Sequence, residues 1–193
     1  MAGPGELTAE LRLWWRGGAP DAVATWFGAG DAAPEEARRD TYLLTDNPAL
    51  GLKQRGENGG GIECKSLIAA FDAGLAVGTA EVWVKCTARG AHLPSGHTLE
   101  VAKARRLRHF AIRQDAVEET EHEGESACAV ELGTARAADG EAWASLCFEA
   151  QATLAGPTHV LCEVWKALAP PAACATGLAM SYPAWLKRVA PRV

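Results

Sequence analysis

The sequence predicts an α+β fold in which antiparallel strands predominate, as a sheet or a barrel with a few covering helices. Two observations lead to this expectation. Short segments that alternate apolar and polar residues outnumber segments with helical spacing. These segments also follow one another in hairpins bounded by turn residues. No obvious linker divides the 193 residues, so a single domain over 1–193 is expected.

The first predicted elements are two strands with a short helix between them. Glu10–Trp14 alternates strictly and predicts the first strand. An amphipathic helix is expected to open at Pro20 and to end at Gly28, because proline suits the first turn of a helix and glycine follows the last. A loop over 28–34 then leads to the second strand, which is predicted over Arg38–Leu43.

A central hairpin follows. Leu52–Arg55 and Ile62–Lys65 flank a glycine-rich turn over 57–61, which suits a reversal that needs positive φ angles. A two-residue period places four charged side chains on one face of this hairpin, namely Lys53, Arg55, Glu63 and Lys65. Fixed cations on neighbouring strands are one way to hold a polyanion.

Thr79–Ala88 predicts the next strand, with its valines on one face and Lys85 on the other. The segment after it is ambiguous. Val101–Arg105 has the pattern of a strand, whereas Leu99–Ile112 as a whole is also compatible with a basic helix.

The last third of the chain predicts more strands and one helix. Ala127–Leu132 and Trp143–Ala152 flank the dipeptide Asp139-Gly140, which is a strong hairpin signal. Val160–Trp165 alternates and predicts another strand. A short terminal helix is expected to begin near Pro183.

Composition limits the classes of function. The formal net charge of −5 and the isoelectric point near 5.6 argue against broad nucleic-acid binding, although a local basic pocket is compatible with them. The six cysteines show no zinc spacing and are expected to be free thiols in a reducing compartment. No signal peptide or membrane span is evident. A cytoplasmic protein that binds neither membrane nor nucleic acid is therefore expected.

Two arrangements explain the charged faces of the strands. A half-buried sheet would bury its apolar face and leave the charged face in solvent. Alternatively, a barrel would enclose the charged faces, and helices such as the one that opens at Pro20 would cover its apolar outer wall. Such an interior would have to be wet, internally paired and able to bind ions.

The motifs resemble, in their serial order, those of the CYTH superfamily, the triphosphate tunnel fold of class IV adenylate cyclases, thiamine triphosphatases and inorganic triphosphatases. The matching segments are Glu10-Leu-Arg12-Leu-Trp14, Asp40-Thr-Tyr42, Lys53-Gln-Arg55, Glu63-Cys-Lys65, Lys103-Ala-Arg105, and the strands that carry Glu131 and Glu149.

The resemblance implies a closed, eight-stranded antiparallel tunnel that binds a small anionic, phosphate-containing ligand with Mg²⁺ or Mn²⁺. The expected phosphate contacts are Arg12, Lys53, Arg55, Lys65, Lys85, Lys103 and Arg105. The expected metal ligands are Glu10, Glu131 and Glu149. No residue is assigned a catalytic role, and the oligomeric state is left open.

The first motif departs from the family pattern ExExK. Arg12 replaces the second acidic residue and Trp14 replaces the lysine, which should weaken metal binding because a cation replaces an anionic ligand. Three functions are therefore open: metal-dependent hydrolysis of a triphosphate or organic polyphosphate, binding of such an anion without catalysis, and an open sheet that acts as an interaction domain.

Other conspicuous residues are expected to be structural. The tryptophans at 14, 83 and 143 are expected to pack in the core or wall, the alternative being that they stack on an organic group at a tunnel mouth. Tyr182–Leu186 is expected to fasten the terminal helix by packing. The five histidines lack metal spacing and are expected on the surface or in loops.

Overall fold

The computed structural model describes residues 5–28, 35–55, 61–121, 127–137, 140–151 and 156–190. The predicted loop over 29–34, the hairpin turn over 57–60, Asp139 and His122 lie outside these ranges. No helix among the described residues is long and apolar enough to cross a membrane.

Ten strands and three α-helices lie within the described ranges. The strands are β1 (Glu6–Arg16), β2 (Glu36–Leu43), β3 (Leu50–Arg55), β4 (Ile62–Asp72), β5 (Thr79–Ala88), β6 (Thr98–Arg113), β7 (Ala116–Thr120), β8 (Cys128–Ala137), β9 (Trp143–Gln151) and β10 (Leu178–Ala179). The helices are α1 (Asp21–Gly28), α2 (Pro157–Leu168) and α3 (Tyr182–Val189), with a 3-10 helix over Ala172–Thr176.

Eight of these strands form a closed antiparallel barrel. Their hydrogen-bonded order is β1-β5-β4-β3-β2-β6-β8-β9, and β9 pairs back with β1 along Thr8–Arg16. The remaining two strands add to it, since β7 extends the β6 hairpin and β10 pairs with the second half of β1. The α+β fold dominated by antiparallel strands, and the eight-stranded closure that the resemblance implied, are confirmed.

The charged faces of the strands line the inside of the barrel, and helices α1 and α2 cover part of its apolar outer wall. Alternate residues of β1, such as Leu11 and Leu13, point outward into a buried core, to which α1 contributes Val23 and Phe27. From α2, Val160, Leu161 and Val164 join the same core. The half-solvated sheet is therefore wrong, and the barrel with a charged interior is correct.

The strand predicted over Val160–Trp165 is wrong, because this segment lies within α2. A short apolar run fits both the two-residue period of a strand and the 3.6-residue period of a helix. The helix forms because it places Val160, Leu161 and Val164 on one face, against the outer wall of the barrel. Pro157 at the start of the helix favours the same outcome.

The ambiguous segment over Leu99–Ile112 is a strand and not a helix. It lies within β6, which pairs with β2 on one side and with β8 on the other. These two ladders satisfy the backbone hydrogen bonds of β6 and bury its apolar side chains. Pairing with the neighbouring strands therefore decides between strand and helix, which the local sequence pattern does not.

Helix α3 and a cluster of aromatic residues fill one end of the barrel. Trp14 stacks on Trp185 with ring centroids 4.5 Å apart and an interplanar angle of 1°. Tyr182 packs edge-on against both rings. Inward-facing residues of four further strands complete this cluster, among them Tyr42, Val101, Ala135 and Trp143. We call this aromatic cluster the plug; it confirms that Tyr182–Leu186 fastens the terminal helix by packing.

Candidate anion-binding site

The interior of the barrel brings together all ten predicted site residues. They line one inner cavity of about 80 Å³, together with Arg38 and Glu63: Glu10, Arg12, Lys53, Arg55, Lys65, Lys85, Lys103, Arg105, Glu131 and Glu149. This happens because each occupies an inward position of its strand, as the register pairs Lys53 with Glu63 and Lys65 with Lys85. Whether these residues bind phosphate or metal stays a prediction.

The inner cavity is cationic although the chain is acidic. Among the residues that the structure describes, its lining holds eight Lys and Arg side chains and four glutamates, whereas the whole chain has a formal net charge of −5. The positive charge of the protein is therefore concentrated on the inner wall of the barrel, where the low dielectric of the surroundings strengthens its field.

A second cavity of about 660 Å³ adjoins the inner one at the end away from the plug. The two share lining residues such as Arg55, Lys85, Arg105 and Glu149. Of these two cavities, only the inner one is lined by residues of helix α3, among them Tyr182. The interior is thus a pocket that is filled at one end and widens towards the other.

Arg12 lies at the centre of the deepest ion-pair network. Its Nε donates to Glu10 Oε1 at 3.0 Å, and its Nη1 donates to Glu131 Oε1 at 2.8 Å and to Ser145 Oγ at 3.2 Å. Lys65 pairs with the other oxygen of Glu10. Burial acts to raise the pKa of Glu10, but the charges of Lys65 and Arg12 outweigh it and lower that pKa well below its usual range.

A second network lies around Asp40, which is almost fully buried. Lys103 Nζ lies 3.1 Å from one of its oxygens, and Arg38 Nε lies 3.3 Å away. Lys103 also contacts the hydroxyl of Tyr42 and lies 3.9 Å from the ring centroid of Tyr182. Burial, followed by the charge of Lys53, lowers the pKa of Lys103 well below its ordinary value. A negative charge bound nearby would therefore raise the pKa of Lys103 and favour its protonated form.

The third group of ion pairs faces the larger cavity. Glu63 accepts from Lys53 at 2.7 Å and from Arg55 at 2.8 Å. Burial acts to raise the pKa of Glu63, but these two cations lower it to about 2. Arg55 is the most accessible member, since 49% of its side chain is exposed.

Two further cations of the shared wall are also paired. Arg105 donates to Glu131 at 2.9 Å and to Glu36 at 2.7 Å. Lys85 pairs with Glu149. Their side chains are about one-fifth exposed, 20% for Arg105 and 23% for Lys85, so both can reach a ligand in the larger cavity.

The sequence analysis assigned no binding role to several residues of the interior. Glu81, inward on β5, has its pKa raised to about 7 by burial and then by the charge of Glu10. Arg38, Asp40 and Glu63 also face inward without having been assigned a role. Their inward orientation could have been predicted from the sequence, because each has the same two-residue alternation as a predicted site residue in its own strand or in the paired strand.

The prediction that all histidines lie on the surface or in loops is wrong for His109. This residue lies within β6 and lines the larger cavity. It shares the inward phase of Lys103 and Arg105, which places it at the wide end of the interior. The tryptophans, in contrast, pack as expected, because Trp14, Trp83 and Trp143 are all buried.

The three carboxylates predicted to bind a divalent metal do not fit one. No group of three or more His, Cys, Asp or Glu residues within the described ranges is arranged to hold a metal ion. Arg12 lies between Glu10 and Glu131, and Lys85 pairs with Glu149. A Mg²⁺ or Mn²⁺ ion would have to displace these cations to gain its oxygen ligands.

The closed barrel of eight antiparallel strands, with charged side chains directed inwards along successive strands, decides the architecture. The chain folds as a closed, tunnel-like antiparallel β-barrel with covering helices. Its interior is called the tunnel below.

Several solved structures are similar to the chain, and two of them are described here. No family model and no curated protein matches the chain. The PH1012 protein from Pyrococcus horikoshii OT3 is similar with a TM-score of 0.45 and 12% sequence identity, over 91% of this chain and 98% of that chain. The Pct1 RNA triphosphatase of S. pombe is similar with a TM-score of 0.38 and 9% identity, over 78% of this chain and 72% of that chain.

Proposed function

We propose that the tunnel binds a triphosphate or an organic polyphosphate. The observation that supports this proposal is the excess of eight cationic side chains over four glutamates around the inner cavity of an acidic protein. Asp40 and Glu36 pair with Arg38, Lys103 and Arg105 and offset part of this excess, and a polyanion is the ligand whose charge would balance the rest.

The shape of the interior supports the same ligand class. The larger cavity of about 660 Å³ lies within the range typical of small-molecule sites. Phosphate groups would bind between Arg55, Lys85 and Arg105, whose side chains line both cavities. Arginine suits this role because its planar guanidinium can hold two phosphate oxygens at once. An organic group would extend towards the wide end, where Leu107 and His109 lie.

Metal-dependent hydrolysis, which the resemblance implies, stays a prediction. The carboxylates expected to hold Mg²⁺ or Mn²⁺ are paired with Arg12 and Lys85. We therefore propose anion binding as the function that the geometry supports best, and we derive no hydrolytic step.

Titration calorimetry with phosphate, pyrophosphate and tripolyphosphate tests the proposal. Affinity should rise with chain length, because a longer anion reaches more of the paired cations. Lys53→Met should weaken tripolyphosphate binding by roughly 10-fold or more, since a charge-assisted hydrogen bond contributes about 1.5–3 kcal/mol. Arg39→Met is the matched control, because it removes the same charge from an exposed position of β2, next to the inward-facing Arg38.

Two outcomes would contradict anion binding in the tunnel. One is tripolyphosphate that fails to bind the folded wild-type protein. The other is Arg39→Met weakening the binding as much as Lys53→Met does. Phosphate release from tripolyphosphate, thiamine triphosphate and nucleoside triphosphates, each with Mg²⁺ or Mn²⁺, measures hydrolysis in the same samples.

A further inference from the structure

The guanidinium of Arg12 occupies the position between two carboxylates where a metal was expected. It reaches from β1 to Glu131 on β8 while also holding Glu10 on its own strand. Its third contact is Ser145 on β9. The side chain of Arg12 is 8% exposed and that of Glu10 is 2% exposed, so these two members of the network are shielded from solvent.

Every oxygen of the two carboxylates is engaged by a cation. Glu10 uses one oxygen for Arg12 and the other for Lys65. Glu131 uses one oxygen for Arg12 and the other for Arg105. Such pairing satisfies buried carboxylates as fully as coordination to a metal ion would.

The second departure from the family motif holds this guanidinium in place. Trp14 lies two residues further along β1, and Arg12 lies 5.7 Å from its ring centroid and 5.5 Å from that of Tyr182. Both rings belong to the plug, which includes the stacked pair of Trp14 and Trp185. The arginine is therefore fixed from one side by carboxylates and from the other by aromatic faces.

We infer that Arg12 is a built-in countercation that replaces a divalent metal, so that the tunnel binds its polyphosphate without Mg²⁺ or Mn²⁺. The part of this inference that concerns the ligand rests on the proposed function, whereas the part that concerns the metal does not. Arg12 is then a positioning residue: it neutralises Glu10 and Glu131, the two carboxylates that also pair with Lys65 and Arg105, and so weakens their hold on those two cations.

Metal binding in the absence of polyphosphate tests the inference directly. Wild-type protein titrated with Mn²⁺ and followed by electron paramagnetic resonance should show no site with a Kd below about 1 mM. The Arg12→Glu variant turns the network into a group of three carboxylates. Its thermal midpoint should rise by about 5 °C or more with millimolar Mn²⁺, while that of the wild type stays unchanged. Arg12→Gln, which removes the charge and keeps a hydrogen-bond donor, serves if Arg12→Glu does not fold.

Polyphosphate binding supplies a second arm. Tripolyphosphate should bind the wild type at least as tightly in EDTA as in Mg²⁺. A wild-type Mn²⁺ site tighter than 1 mM, or an affinity for tripolyphosphate more than 10-fold higher with Mg²⁺, would overturn the inference. If tripolyphosphate binds under neither condition, the proposed function fails, and the Mn²⁺ titration still decides whether Arg12 replaces the metal.

Discussion

Replacing Trp185 by alanine should destabilise the protein by about 3–5 kcal/mol, because this ring is the centre of the plug. Trp185 is fully buried and stacks on Trp14 with centroids 4.5 Å apart. An aromatic side chain of this kind buries about 150–250 Å², and at about 25 cal/mol per Å² its transfer accounts for roughly 4–6 kcal/mol. For a chain of this size, 3–5 kcal/mol corresponds to a fall in Tm of about 6–20 °C.

Urea and thermal unfolding of Trp185→Ala and Trp185→Phe measure this effect. The indole Nε1 is buried without a hydrogen-bond partner among the described residues. Trp185→Phe therefore loses no hydrogen bond, keeps the stack on Trp14, and should cost less than about 1.5 kcal/mol. The reasoning is refuted if alanine costs less than about 1 kcal/mol, or if phenylalanine costs as much as alanine.

Three further predictions concern charge. The folded-state pKa of Glu81, about 7, exceeds its ordinary value of 4.5, so the free energy of unfolding should fall as pH rises between these values. Glu81→Gln should remove this pH dependence and add about 1–2 kcal/mol to the free energy of unfolding at pH 8, measured by urea unfolding. An unchanged pH dependence in the variant would contradict this. Binding of tripolyphosphate should take up protons at Lys103 between its lowered pKa and the higher pKa that the bound anion gives it. Calorimetric enthalpies in that range should therefore depend on the ionisation enthalpy of the buffer, and equal enthalpies in all buffers would contradict this. Arg105→Met should weaken tripolyphosphate binding roughly 10- to 150-fold. Arg106→Met, on the outward face over Phe27, is the control and should change the affinity less than about 2-fold. Equal losses of affinity in the two variants would refute the role of Arg105 as a phosphate contact.

Much of the tunnel could be predicted from the sequence because side chains alternate along a strand. Once Lys53 and Glu63 are placed on one face of their hairpin, the two-residue period fixes the other inward residues of both strands. The serial order of charged motifs then predicts that the strands share one interior. The same rule fails at Val160–Trp165, where six residues fit a strand and a helix equally well.

The plug and the pairing of the carboxylates could not be predicted in this way. Trp14 meets Trp185, and Arg12 meets Glu131, only after the barrel has closed and α3 has folded onto its end. No local period connects residues so far apart in sequence, and the sequence alone suggests only that Arg12 contacts phosphate and disturbs a metal site. The geometry adds that Arg12 satisfies both carboxylates itself.

A crystal structure of the protein with tripolyphosphate tests the central claim most directly. We expect the anion inside the tunnel, with phosphate oxygens within hydrogen-bond distance of Lys85 and Arg105 and with Arg12 still between Glu10 and Glu131. Tripolyphosphate bound to the outer wall, with the tunnel's ion pairs unchanged, would contradict it.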